Sequence, residues 1–188
     1  MATLMERAIG AARLDAATYE DVEADEGAFN QAMIVVLASS IATGIGSAAA
    51  SGGQGFGLIS GALGALIGWF VWALTAYLVG TRLLPMPETK ADLGQLLRTT
   101  GFAAAPGIAG ILGILPGIGG LVLTLTSLWQ LVSMVVAVRQ ALDYTSTGRA
   151  VLVCVIGFVA QLLVIALFVF VIGGAIAAMV AGTQPVTP

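Results

Sequence analysis

Histidine is absent from the 188 residues, and with it go the commonest general base and the commonest metal ligand. Cysteine occurs once, at Cys154 inside an apolar run, so neither an internal disulfide nor a cysteine-ligated zinc site can form. Charge is scarce too: 9% of the residues are Asp, Glu, Lys or Arg, against about a quarter in an ordinary soluble domain. None of them falls in 30–81, in 99–138 or after Arg149. A membrane crossing takes only about 20 apolar residues. Without a carboxylate or histidine in those tracts, nothing is placed to activate a serine or a water for hydrolysis. No enzymatic chemistry and no cofactor is expected.

What the chain has instead is apolar surface, with 59% hydrophobic residues. The uncharged tracts resolve into five expected spans at about 31–50, 57–81, 99–116, 119–138 and 149–172, an all-α membrane bundle. The turn-rich SGGQGFG joins the first two. RLLPMPETKADLGQLLR (82–98) follows, where Pro85 and Pro87 forbid a continuous helix because neither has an amide donor. Pro116-Gly117-Ile118-Gly119-Gly120 turns the third span into the fourth, and RQALDYTSTGR (139–149) leads into the fifth. Residues 101–115 are short for a crossing, so a re-entrant hairpin over 101–118 is the alternative to a full third span. From Ala150 the apolar run continues to Gly182, about 50 Å of helix, and a single tilted span that protrudes or frays after Gly173-Gly174 is expected. The chain thus divides into an acidic tail (1–29), a transmembrane domain (30–182) and a short C-terminal tail (183–188).

All seven cations, Arg7, Arg13, Arg82, Lys90, Arg98, Arg139 and Arg149, fall on the side that receives the N-terminal tail, 82–98 and 139–149. Lysine and arginine accumulate in cytoplasmic segments, which places the N-terminus in the cytoplasm and the C-terminus across the membrane. The tail itself carries Glu6, Asp15, Glu20, Asp21, Glu23, Asp25 and Glu26, the opposite of a basic secretory leader.

Glycine is the most patterned residue. Gly53, Gly57, Gly61, Gly64 and Gly68 follow steps of four, four, three and four, and Pro106, Gly110, Gly113 and Gly117 steps of four, three and four. Such steps share one helix face, and small residues let helix backbones approach in lipid. Both rows are therefore candidates for helix packing, within the chain or against a second copy. A phosphate cradle is excluded, because no strand and no lysine accompany the glycines and GIGG fails the G-x-G-x-x-G spacing. No nucleic-acid partner is expected.

The polar residues inside the spans are few: Ser39, Ser40 and Thr43 in the first, Thr126, Gln130 and Ser133 on one face of the fourth, and Gln161 in the fifth. Interhelical hydrogen bonds, worth about 0.6 kcal/mol each, are the simpler reading beside the lining of a path. Gln130 and Gln161 sit at similar depths and could meet. Trp69, Trp72 and Trp129 lie well inside their spans and read as packing residues. In the tail, Leu14, Tyr19 and Val22 form a loose apolar face and Asp15 is a helix cap. The tail is either a solvated tether or a docking surface for a basic protein partner through Tyr19, Glu20, Asp21 and Glu23.

RAIGAARLDAATYEDVEADEGAFNQAMIVV, GALIGWFVWALTAYLVGTRLL, LGQLLRTTGFAAAPGIAGILGILPGIGGLV and LWQLVSMVVAVRQALDYTSTGRAVLVCVIG together resemble bacterial members of the Yip (Ypt-interacting protein) domain family. The most specific pieces are the LLR-x-x-GFA-x-AP entry to the third span, Trp129, and VAVRQALD with STGRA before the fifth. The resemblance implies five helices, a cytoplasmic N-terminus and a place in the bacterial cytoplasmic membrane. It also implies a non-enzymatic role in organising membranes or scaffolding traffic. A small transporter or channel subunit for a lipid or neutral solute, its path lined by the broken third span, is the other function that the pattern allows.

Overall fold

The computed structural model describes residues 2–52 and 58–182, apart from the side chains of 58–60, 168–169 and 172–182. Among the described residues every regular element is helical. Five stretches are long and apolar enough to cross a bilayer: Ala28–Ala50, Gly61–Leu83, Leu93–Ile114, Gly119–Ala141 and Thr147–Leu167.

Two short helices precede them. Helix α1 (Leu4–Ala12) starts at a capping box in which Thr3 and Glu6 satisfy each other's backbone amides. Helix α2 (Ala16–Ala24) is capped by Asp15, as its sequence position suggested. They pack as a hairpin against the start of α3 (Ala28–Ala50) and against α5 and α6, and so do not form a solvated tether. Of the apolar face read from the sequence, Tyr19 and Val22 are completely buried, together with Ala11, Ala28, Ala32 and Phe102, while Leu14 is half-buried in the turn between the two helices, at φ +63°.

Helix α4 (Leu58–Leu78) ends in a π turn over Val79–Leu83, closed by Leu84 N–H donating to Val79 O. Tyr144, buried in the loop after α6, donates its hydroxyl to Gly80 O and Leu84 O at this turn. That bond and the one from Thr89 Oγ1 to Leu142 O gather the loops after α4 and α6 at the same end of the bundle as the N-terminal hairpin. Arg82, Lys90, Arg139 and Arg149 lie at this polar end, Arg98 belongs to α5, and Arg7 and Arg13 belong to the hairpin packed beside it. The opposite, far end carries the turn at 115–118 packed beside Ala49 and Ala50.

The third stretch differs most from the reading of the sequence. Helix α5 (Leu93–Phe102) starts well before residue 99, because Asp92 and Gln95 form a second capping box. It passes into a 3-10 helix over Ala105–Ile114 with Pro106 in its first turn. A 3-10 helix rises about 2.0 Å per residue and an α-helix about 1.5 Å, so the two ten-residue pieces cover about 35 Å. That matches a hydrocarbon core of about 30 Å. The span that looked short in residues is drawn out instead. It is also the axis of the bundle, with 67% of its window buried against at most 33% for any other span.

Helix α6 (Gly119–Ala141) returns to the polar end, and α7 (Thr147–Gly182) runs on as one helix past Gly173-Gly174, the protruding rather than the frayed alternative. At about 54 Å it exceeds the hydrocarbon core by far.

Candidate functional site

Between α3 and α4 lies a cavity of about 530 Å³. The α3 wall is hydroxyl-rich, with Ser39, Ser40, Thr43 and Ser47 one to two turns apart on a single face. The α4 wall is nearly bare: Gly61, Ala65 and Gly68, then the rings of Trp69 and Trp72. Thr100 and Ala104 from α5 and its exit, with Gln130 and Met134 from α6, complete the wall. No charged side chain lines it.

The two tryptophans of α4 turn mostly to other helices. Trp69 stacks on Phe29 with ring centroids 5.8 Å apart, and its indole N–H donates to Leu97 O and Thr100 Oγ1, each at 3.2 Å. Trp72 reaches across to Met134 Sδ at 3.1 Å and also lies against Gly157 of α7. Among the described residues, a Cβ built on Gly61 or Gly68 would meet no atom within 4 Å, and Gly64, which is exposed and does not line the cavity, is equally clear. Contact is restored at Ser40, whose hydroxyl donates to Gly61 O at 3.4 Å.

Gln130 is the hub of the polar wall. Its amide nitrogen donates to Ser39 Oγ and to Ala104 O, both at 3.1 Å, while Thr43 Oγ1 donates to Gly107 O at 3.1 Å. Gly107 makes this possible, since a Cβ there would overlap both Ser39 Oγ and the Gln130 amide. Gln130 and Gln161 do not meet: Gln161 Oε1 is buried with no hydrogen-bond partner among the described residues. Thr126 bonds back to Val122 O and Leu123 O of its own helix. Ser133 turns away from the cavity toward the hairpin.

The second glycine row behaves oppositely. A Cβ on Gly46 would overlap the Gly110 carbonyl, and one on Gly110 would lie 2.8 Å from Thr43 Oγ1. A Cβ on Gly113 would lie 3.0 Å from the Gly46 backbone. Pro106 is fully buried in the same seam. Gly117 stands apart from this packing: it has φ +79° in the turn to α6 with open space around it, so it serves chain reversal, a conformation only glycine adopts freely. Gly57 lies outside the described residues.

At the polar end, Tyr19 is completely buried. Its hydroxyl lies 2.7 Å from Ser133 Oγ and donates to Ala11 O at 3.2 Å, so it offers no surface to a partner. Burial pushes its phenol up to about 12. Trp129, which is 42% exposed, donates its indole N–H to Ala12 O at 2.8 Å. Arg7, 2% exposed, joins Asp21 and Asp25 at 2.8 Å each. Arg98 was missed in sequence because it looked like the last residue of a polar loop. It is buried, and its guanidinium donates to the Val22 and Glu23 carbonyls at the end of α2, satisfying acceptors that a helix end leaves unpaired.

Glu20 and Asp21 are exposed, and Glu23 is half-buried in a second cavity of about 470 Å³ shared with Arg139, Asp143 and Tyr144. Burial, then the charge of Asp143, pushes the Glu23 carboxyl up to about 7 against the opposing pull of Arg98. Among the described residues no group of acidic, histidine or cysteine side chains is arranged to hold a metal.

Five membrane-length helices, the third of them (Leu93–Ile114) the most buried, define a multi-pass α-helical membrane protein. The Yip1 domain model matches residues 15–179, and the chain belongs to the Yip1 domain family. That match takes in α2, all five spans and both cavities. No curated protein and no solved structure matches the chain.

Proposed function

We propose that the protein is a non-enzymatic membrane-organising factor, oriented with its N-terminus in the cytoplasm and resident in a bacterial cytoplasmic membrane. The observation that carries this is an unequal apolar girdle. On one flank, the bond from Trp129 to Ala12 O holds the α1–α2 turn, with exposed Arg13 and Asp15, twelve residues or about 18 Å along α6 from Ala141. On the other flank, exposed Leu78, Leu83, Val151 and Leu152 carry apolar surface toward that same polar end. Trp72 touches both Met134 and Gly157, so these rows can be compared in height. The charged hairpin reaches about 15 Å deeper than the apolar edge opposite.

A bilayer meets such a girdle by thinning on one side or by tilting, each at a fraction of a kcal/mol per Å. Many copies would bend it. Glu20, Asp21 and Glu23 are the proposed contacts for a basic protein partner at this end, and the exposed Gly64 face is the proposed contact between copies. A path for a lipid or neutral solute is the second reading, supported by the α3–α4 cavity.

The test is reconstitution into liposomes of neutral lipid at rising protein content, imaged by electron cryomicroscopy. Narrowing of vesicles or tubulation is expected. A matched variant with Trp129→Ala and Arg7→Ala, which frees the hairpin, should lose the effect. Vesicles of unchanged diameter with the wild-type protein would overturn the proposal.

A further inference from the structure

We infer that the α3–α4 cavity is a binding site for a neutral, hydroxyl-bearing lipid of the diacylglycerol type, its polar group held by Ser39, Thr43 and Gln130 and its chain lying along the glycine face of α4. This stands apart from the membrane-shaping proposal, because a site that holds lipid leaves the unequal girdle as it is.

The cavity lies between two spans and comes to the surface at Ser47, which lines it and is exposed. A space of about 530 Å³ at this depth is filled by whatever the bilayer offers, because close contact on all sides is what stabilises a packed interior. Its walls select among the candidates. An ionised headgroup would need an opposite charge and meets none, which in a membrane is expensive. The hydroxyl protons of Ser40 and Thr43 and the amide protons of Gln130 are already bonded to Gly61 O, Gly107 O, Ser39 Oγ and Ala104 O, so what the wall offers a ligand is acceptor lone pairs, on those hydroxyl oxygens and on the Gln130 carbonyl oxygen. A glycerol hydroxyl donates to them, while Val36, Ala65, Trp72 and Met134 cover the chain. The space stays open because Gly61 and Gly68 of α4 put no side chain into it.

Bareness also supplies a clean blocking variant. A side chain at Gly68 enters the cavity without displacing any neighbour, since nothing lies within 4 Å of its Cβ. Gly68→Leu therefore fills the site in a protein that still folds.

The experiment uses the full chain carrying Trp129→Phe, so that emission comes from Trp69 and Trp72 at the cavity wall. It is reconstituted into unlabelled phosphatidylcholine vesicles with a small share of brominated diacylglycerol or, separately, brominated phosphatidylcholine. Several-fold stronger quenching by the diacylglycerol at equal mole fraction is expected, falling to the phosphatidylcholine level in Gly68→Leu. A matching thermal midpoint for the two proteins confirms that the blocked variant is folded. Equal quenching by the two lipids, stronger quenching by phosphatidylcholine, or an excess that survives Gly68→Leu would each overturn the assignment.

Discussion

Two glycine rows, each laid along one helix face, have opposite fates in this molecule. Gly110 and Gly113, with Gly46 facing them from α3, bring backbones into contact, and Gly107 leaves room for the Ser39 and Gln130 side chains. Gly61, Gly64 and Gly68 of α4 touch nothing at their Cβ positions. Spacing fixes which residues share a face, and it is silent on what that face meets. The neighbours decide. Opposite Gly110 and Gly113 stand Thr43 and Gly46, small enough to let the helices close, whereas Gly61 and Gly68 face the open cavity and Gly64 faces outward. Small residues at an interface permit close approach in lipid; they do not impose it.

The largest effect is expected at Gly46. Its Cβ would strike the carbonyl of Gly110, a backbone atom that can move only if α3 and the central span separate. Gly46→Leu should cost about 3 kcal/mol or more, at or beyond the upper end of overpacking penalties. It should read as loss of monodisperse protein in detergent or a collapse of the thermal midpoint. A midpoint within error of wild type would mean that the seam is looser than its geometry.

Gly107→Ala comes next. Its new methyl would meet the ends of two side chains, Ser39 Oγ and the Gln130 amide, which can rotate aside. The price is their hydrogen bonds, so about 1–2 kcal/mol is expected. In the Gln130→Ala background the same substitution should cost less, because part of the obstruction is already gone. Equal costs in both backgrounds would show that the two residues do not compete for this space.

The α4 row should respond with the opposite sign. Gly61→Ala and Gly68→Ala replace the weakest ordinary helix former with the best and meet no obstruction, so each should stabilise by up to about 1 kcal/mol. A loss at either site, read as a lowered thermal midpoint, would show α3 and α4 closing on each other in the membrane and would remove the cavity.

Much of this was legible in the chain. Charge-free tracts marked the spans, and the position of every cation marked one end of the bundle. The central span was misread for a reason that can be stated physically. Taken from Pro106, the row 106, 110, 113, 117 looks α-helical; taken from Gly107, the row 107, 110, 113 has a period of three, which is the 3-10 repeat that eclipses i and i+3. The same row lays a bare backbone edge against α3. The start of that span was hidden because its first turns carry Gln95 and Arg98: hydropathy alone cannot see a buried arginine whose partners are carbonyls about 75 residues away in sequence. For the same reason the hairpin read as a tail. Nothing local to residues 4–24 records that Ser133, Trp129 and Arg98 wait to satisfy their backbone and hydroxyl groups. The cavity was out of reach altogether, since its lining is gathered from α3, α4, α5 and α6, residues up to about 100 positions apart in sequence.

The smallest expected effect separates both glycine rows from the hairpin, because neither row contains a titratable group. Any pH dependence of folding should therefore arise at the polar end. Glu23, raised to about 7 from an ordinary 4.5, adds stability that is complete below 4.5 and is lost as pH rises through about 7. Asp25 is held below its ordinary 3.8, chiefly by the hydrogen bond from Arg7, and its contribution is present above 3.8 and lost as pH falls through its lowered value. Docking of α2 should thus loosen modestly between about pH 5 and pH 8, in the sense set by Glu23, with Asp25 ionised throughout. Amide hydrogen exchange, corrected for the intrinsic pH dependence of the rate, should show falling protection in Ala16–Ala24 and constant protection in the Gly46–Gly113 seam. Glu23→Gln should hold α2 equally well at both ends of that range. Protection that falls together in hairpin and seam, or that still falls in Glu23→Gln, would show that this carboxyl does not govern the docking.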